Sequence, residues 1–381
     1  MSKKVLHVAK TANGGRFIGF QLPHLTKAGW EVHLAVPGPG VLAEMAKAAG
    51  AEVHMDSGLG GSLPSAARHL SGLLTSVQPD LVHAHFVHST LVARGARIQS
   101  RVKPPILFQV PGPLHLEKTL PRLADIRTAG AQDHWGAACQ WTFQKYLESG
   151  VPANRVHVLY YGKDLGDYPI GEVERDNSES RADLRRQLGL PVDKRLIMMV
   201  AHVYPPRRGR TRGIKGHEYF LEALAQVQRR SPDAIGVIVG GPRPGADEYF
   251  NALQQKAASL RAEVLFLGAR SDVTDLYRVA DLAVHPSLSE NLGGAGESLL
   301  LGVPTVSTSV GGFPDIVRPD VTGLMVPPRD SRQLAEAIQR ALDMPEQMRA
   351  MALEGQKWVL RVADAATNAG KVMNVYEEMT T

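Results

Sequence analysis

The sequence predicts an α/β protein built from two doubly wound halves that face each other. Three observations carry this. A chain of 381 residues exceeds one ordinary core and suits two domains of roughly 100–200 residues each. Short apolar, β-rich runs alternate with amphipathic stretches, as in a parallel sheet covered by helices on both faces. The alternation breaks once, in a polar stretch, and then restarts.

In the first half, strands are expected at 5–9, 32–36, 52–55, 81–84, 106–110, 136–139 and 156–160. Phe17, Phe20, Leu22 and Leu25 predict a helix between the first two that stops at Gly29. Residues 171–194 carry Glu172, Glu174, Arg175, Asp176, Glu179, Arg181, Asp183, Arg185 and Arg186 and read as a polar connection with a short helix. This stretch separates a first domain over 1–170 from a second over 171–364. In the second, strands are expected at 196–201, 235–239, 264–267, 282–285, 305–308 and 324–326, with helical patterns such as 218–228 between them. Ala366, Val372, Val375 and Tyr376 mark a closing helix in 365–381 that can pack on either half, including back on the first domain. Ligands of such sheets sit at the carboxyl ends of the strands, so two facing sheets imply an interdomain cleft.

Composition removes whole classes of function. With 44% hydrophobic and 21% charged residues, the chain is neither disordered nor fibrous. No apolar run reaches the ~18 residues of a membrane span. The start Met1-Ser2-Lys3-Lys4 leads into a run that His7 and Lys10 interrupt, unlike a signal peptide, and a cytoplasmic location is expected. The single cysteine, Cys139, sits in apolar company and is expected to be a buried, inert thiol. Lys and Arg exceed Asp and Glu by 17 to 11 in residues 1–170, and are 26 against 27 in the rest. The basic surplus of the first half suits phosphates or anionic lipid as well as plain solvated charge. No dense basic tract with interleaved aromatics is present, so nucleic acid is not an expected partner.

No Asp-x-Asp pair, Walker-type Gly-x4-Gly-Lys-Ser/Thr or Gly-x-Gly-x-x-Gly follows a strand. Any phosphate must then be held by backbone amides and basic side chains. The most informative stretch follows the strand at 282–285: Pro286-Ser287-Leu288-Ser289-Glu290-Asn291-Leu292-Gly293-Gly294-Ala295-Gly296-Glu297. Small residues 293–296 fit a helix opening with free N–H groups, which seats an anion at the positive end of the dipole. Glu290 before the helix and Glu297 within it offer acceptors for sugar hydroxyls, or serve as a cap and a solvated helix residue. Between Tyr204 and Gly216, the cations Arg207, Arg208, Arg210, Arg212 and Lys215 repel one another unless an anion lies nearby. A diphosphate would supply it; a solvated basic loop is the alternative.

In the first half, Gly14-Gly15 allows close backbone approach to a ligand, or simply a tight turn. His83 and His85 share one face of a strand end and His88 follows; without a carboxylate in the segment, a structural or substrate-contacting role is expected in place of a metal. His115 lies beyond another strand end, where an imidazole can donate a hydrogen bond or carry a proton, or stand as an ordinary loop residue.

Taken together, these segments resemble the GT-B glycosyltransferases of family four, retaining enzymes that use nucleotide sugars. The resemblance spans nearly the whole chain and is strongest over 264–338. There Phe266-Leu267-Gly268, Ala280-Asp281-Leu282, His285-Pro286-Ser287, Glu290, Glu297, Gly302-Val303-Pro304, Val310-Gly311-Gly312-Phe313-Pro314-Asp315 and Thr322-Gly323-Leu324 stand in the family's order. It implies two Rossmann-like domains, with acceptor bound by the first and donor by the second.

The resemblance implies that Glu297 holds ribose hydroxyls, that Glu290 lies beside the transferred sugar, and that Lys215 neutralises the diphosphate. It places Asn291, Leu292, Gly293 and Gly294 at the phosphate seat and Arg270 beside the base. Gly14, Gly15 and His85 fall on the acceptor side, and His115 near the reacting carbon. Two departures stand out. Six residues separate the glutamates where the family usually has seven, and Ala201-His202 replaces its Gly-Arg pair. Arg212 or Arg210 is then the expected substitute cation. The expected activity is metal-independent transfer of a hexose-type sugar, with a UDP-sugar the preferred donor, to a saccharide or lipid-linked glycan in surface polysaccharide or oligosaccharide synthesis. Peripheral contact with an anionic membrane is compatible with it. A nucleotide-sugar epimerase and an inactive binding subunit are the rival readings.

Overall fold

A computed structural model describes residues 3–112, 115–168, 178–206, 209 and 211–381. Arg207, Arg208 and Arg210 of the basic loop lie outside these, as do residues 171–177 of the polar connection. The chain divides into two compact units, one of Met1–Asp164 with Val362–Thr381, the other of Leu165–Arg361. Among the described residues no helix is long and apolar enough to cross a membrane.

The first unit holds β1 (Lys4–Ala9), β2 (Glu31–Val36), β3 (Glu52–Met55), β4 (Leu81–His85), β5 (Ile106–Val110), β6 (His134–Ala137) and β7 (Val156–Val158). They form one parallel sheet in the order β3-β2-β1-β4-β5-β6-β7. Its central strands are mostly apolar because both faces are covered, with His7, His83, His85 and Gln109 as buried polar exceptions. Leu22, Leu25 and Trp30 pack on one face with Val5 and Leu34. Ala66, Leu70 and Leu74 of the helix Leu63–Val77 pack on the other with Leu6 and Val82.

The second unit holds β8 (Arg195–Val200), β9 (Ala234–Val239), β10 (Val264–Gly268), β11 (Leu282–His285), β12 (Thr305–Thr308) and β13 (Leu324–Val326), parallel in the order β10-β9-β8-β11-β12-β13. Phe220, Leu221 and Leu224 of the helix His217–Val227 cover one face together with Leu334 and Ile338 of Ser331–Asp343. Each such side chain contributes about 1.5–3 kcal/mol on burial. Tyr277, Leu276 and Leu301 cover the other face. The strand order reverses between β8 and β11, and crevices at such reversals bind ligands beyond the carboxyl ends.

One expected strand is displaced. The strand expected at 136–139 begins at His134, because its ladder to β5 starts with His134 opposite Leu107, and Cys139 instead precedes the helix Gln140–Glu148. Cys139 is buried, as expected. The closing segment is the helix Ala365–Met379, whose N-cap Asp364 accepts a hydrogen bond from the Thr367 amide at 2.7 Å. Ala369, Val372, Val375 and Tyr376 join the core around Trp30 and Leu25. They fall in the first unit.

Candidate active site

The segments after β8 and β11 meet at the reversal point of the second unit. Leu288 donates its amide to the Ile214 carbonyl at 2.8 Å, which ties the two loops. Gly216 has φ +77° and faces Pro286 so closely that a Cβ would lie 2.0 Å from its carbonyl oxygen. On the other side, Gly311 (φ +52°) would place a Cβ 1.8 Å from the Glu290 carbonyl oxygen. Only glycine permits both approaches. The loop bearing Glu290 is thus held on two sides by backbone.

That clamp brings the Lys215 ammonium onto the Glu290 carboxylate, 75 residues away in sequence, with both side chains about four-fifths buried. Tyr204 places its ring 6.0 Å from the ammonium. The helix Gly293–Leu300 opens beside Glu290, and no side-chain hydrogen bond caps it among the described residues. Its first amides therefore lack intrahelical acceptors. A Cβ at Gly293 would lie 3.2 Å from the Glu290 carboxyl, and one at Gly294 would lie 3.1 Å from Nδ1 of His285. Asn291 Oδ1 is buried without a donor among the described residues, a position a ligand hydroxyl would satisfy.

His285 is buried, and its pKa falls to about 3 through desolvation and then the nearby Lys215 charge. Its Nε2 lies 2.9 Å from Ser298 Oγ, which lies 3.0 Å from Thr305 Oγ1; Thr305 in turn donates to the Val303 carbonyl at 2.8 Å. With Thr305 already donating, the Ser298 proton goes to Thr305 or to the Ala295 carbonyl, 3.1 Å away. Ser298 Oγ then accepts from His285 Nε2, and the lone pair stays on Nδ1, facing Gly294. Glu297 is half-buried, with the Tyr168 hydroxyl 3.5 Å from its Oε1. Burial, and then the Glu297 charge, raise the Tyr277 pKa.

Two of the other predicted cations are engaged elsewhere. Both terminal nitrogens of Arg212 reach Glu222 at 3.0 Å, and the guanidinium lies 4.3 Å over the Tyr219 ring. Lys256 shares Glu222 at 2.8 Å. Arg270 is exposed and forks onto Asp272. Arg210 lies outside the described residues.

In the first unit, Gly15 (φ +96°) opens the short helix Arg16–Gly19, and Gly14 is exposed after β1. His85 is sealed in the core with His7 and His83: its Nε2 meets His7 Nδ1 at 3.0 Å and its Nδ1 meets the Tyr161 hydroxyl at 3.2 Å. His83 reaches the Tyr376 hydroxyl at 2.6 Å. His115 is buried. Its Nε2 lies 3.0 Å from the Tyr146 hydroxyl, which can donate or accept, and 3.5 Å from an Asp125 oxygen, which only accepts; a proton on Nε2 serves both. Nδ1 has no partner among the described residues and is the ring atom left to accept from a ligand.

Two family models match this chain: Glycosyl transferases group 1 over residues 180–358 and Glycosyltransferase Family 4 over residues 15–167. The chain belongs to this glycosyltransferase family. A D-inositol 3-phosphate glycosyltransferase of Thermobispora bispora is 31% identical over 60% of this chain and 51% of its own length. An alpha-D-kanosaminyltransferase of Streptomyces kanamyceticus is 33% identical over 53% of this chain and 49% of its own. The chain spans about half the length of the curated relatives it matches. Among solved structures, Anabaena HepE in complex with UDP aligns with a TM-score of 0.80 and 20% identity, covering 98% of this chain and 100% of that one. Sucrose-phosphate synthase of Thermosynechococcus elongatus aligns at 0.77 and 21%, covering 99% of each. The fold is GT-B, with two Rossmann-like domains.

Within this family fold, several contacts escape a reading of the sequence. His285 stands there as a strand end and as part of the family segment His285-Pro286-Ser287, and its contact with Ser298 is not visible. Glu218 accepts from the Gly213 amide at 3.2 Å and from Tyr249, fixing the turn before Lys215. In sequence it is an ordinary acid in a first helical turn.

Proposed function

We propose that this chain is a retaining glycosyltransferase that moves a hexose-type sugar from a nucleotide diphosphate sugar, preferably a UDP-sugar, to a saccharide or lipid-linked glycan. The observation that carries this reading is the meeting of Lys215 and Glu290 beside the uncapped helix Gly293–Leu300 at the sheet reversal. The Anabaena neighbour solved with UDP and UDP-glucose supports a uridine donor.

In this reading the diphosphate displaces Glu290 from Lys215 and takes the first helix amides. Glu297 holds the ribose hydroxyls, and Glu290, released, faces the transferred sugar. The bond from the anomeric carbon to the diphosphate oxygen breaks as negative charge moves onto the phosphate, where fixed donors oppose it without reorganising. The acceptor hydroxyl adds on the same face, and its proton passes to the departing phosphate oxygen. His115 Nδ1 accepts from a sugar or acceptor hydroxyl. No metal is needed for the charge, and peripheral anionic lipid would hold a lipid-linked acceptor near the basic first domain.

The test is a thermal-shift panel of UDP, GDP, ADP and their sugars, followed by transfer assays in excess chelator. UDP should stabilise the protein, Lys215→Ala should abolish most of that shift, and transfer should survive chelation. Equal shifts in the wild type and Lys215→Ala would refute the site. Loss of transfer on chelation, restored by magnesium, would refute metal independence.

A further inference from the structure

A metal-ligand cluster lies at the edge of the first sheet, apart from every residue assigned above. β3 is the edge strand, and its register sets His33 of β2 opposite Glu52, with Ala35 opposite His54. Glu52 and His54 are two residues apart and share the face on which His33 stands. His33 Nδ1 lies 3.0 Å from His54 Nε2 and 3.5 Å from Glu52 Oε2, and His54 Nε2 lies 3.7 Å from Glu52 Oε1. Zinc bonds of about 2.0–2.1 Å in a tetrahedron imply ligand separations of roughly 3.3–3.4 Å. With Oε2 of Glu52 toward His33 and Oε1 toward His54, the three spacings bracket that value, and rotation of this exposed carboxylate can bring one oxygen to the ion.

The surroundings suit a metal ion. His33 Nε2 lies 3.1 Å from Glu31 Oε1, and Glu31 is held by Lys4 at 3.1 Å. A carboxylate accepts only, so Nε2 carries the proton and Nδ1 turns its lone pair to the cluster. Such a carboxylate behind a histidine is the usual support of a metal ligand. Among the described residues, the lone pair of His33 and the Glu52 carboxylate then converge with only the His54 ring proton to satisfy them. His33 is almost fully buried, whereas the Glu52 side chain is 67% exposed, which gives an ion a route in and leaves room for water as the fourth ligand.

Two other clusters serve less well. His7, His83 and His85 are sealed and bonded to tyrosines. At His134, His157 and Glu378, no hydrogen bond from a ring to a carboxylate orients either histidine among the described residues.

We propose that His33 Nδ1, His54 Nε2 and Glu52 bind a divalent zinc-class ion that pins the edge strand β3 to β2. The ion is structural and lies outside the transfer chemistry.

The test uses the full chain, stripped with chelator and dialysed, and titrated with zinc by calorimetry, then with cobalt by visible absorption. The wild type should bind one more equivalent than His54→Gln or Glu52→Gln, both near the surface and expected to fold. It should also show a tetrahedral cobalt band that these variants lack, while His134→Gln retains both. Zinc should raise the wild-type melting temperature by several degrees and leave that of Glu52→Gln unmoved. Equal stoichiometry and cobalt spectra in the wild type, His54→Gln and Glu52→Gln would overturn the proposal, as would loss of the signal in His134→Gln alone.

Discussion

At the residue scale, the absent family arginine makes Arg212 the informative side chain. Its fork onto Glu222 holds it away from a phosphate, yet Lys256 also contacts Glu222. Arg212 can therefore leave without stranding an unpaired carboxylate. On this proposal Arg212→Ala raises the donor Kd about tenfold, equivalent to ~1.4 kcal/mol, and Glu222→Gln lowers it; unchanged donor affinity in Arg212→Ala, Arg210→Ala and the double variant would exclude both arginines. The buried histidines make a second prediction. His285 and His217 have pKa values lowered to about 3 and about 4, chiefly by desolvation. The unfolded chain, with histidines near 6.5, binds more protons than the native one below that pH. Stability is therefore full above about 6.5 and falls as the pH drops toward 4 and then 3, by up to about 1.4 kcal/mol per pH unit per group. Chemical denaturation at several pH values should show this slope, reduced in His285→Gln.

At the element scale, the proposed donor site depends on a loop held by backbone contact. A methyl group at Gly311 would overlap the Glu290 carbonyl and impose a left-handed φ on alanine. Gly311→Ala should cost on the order of 2–4 kcal/mol and weaken UDP binding together with it. A midpoint in urea equal to the wild type's, with unchanged UDP affinity, would show that the loop does not need this clamp. Gly311-Gly312 is visible in the sequence as a family segment; the carbonyl it must clear is not, because that contact links residues 21 apart. The strands are legible for a simpler reason: parallel strands covered on both faces are mostly apolar runs, even where a buried histidine such as His7 interrupts one. His134 escapes because a polar residue at a strand start carries no periodic signal. The engagement of Arg212 by Glu222 and the pairing of His115 with Tyr146 and Asp125 depend on three-dimensional neighbours that no local pattern encodes.

At the scale of the whole molecule, the chain leaves the first unit after Asp164 and returns to it at Val362. The core around Trp30 and Leu25 is then completed by the returning helix, with Ala369, Val372, Val375 and Tyr376 filling it. Removing residues 362–381 takes away several buried side chains at about 1.5–3 kcal/mol each, comparable to a domain's entire margin of about 5–15 kcal/mol. The first unit should therefore unfold or become loosely packed, whereas the second, which carries the proposed UDP site, keeps its core. The tryptophans separate the two: Trp30, Trp135 and Trp141 lie in the first unit and Trp358 in the second. With Trp358→Phe in both backgrounds, fluorescence should report loss of native emission on truncation, while UDP still raises the remaining melting transition. Native emission from the truncated chain would show that the returning helix is dispensable, and loss of the UDP response would show that the second unit depends on it.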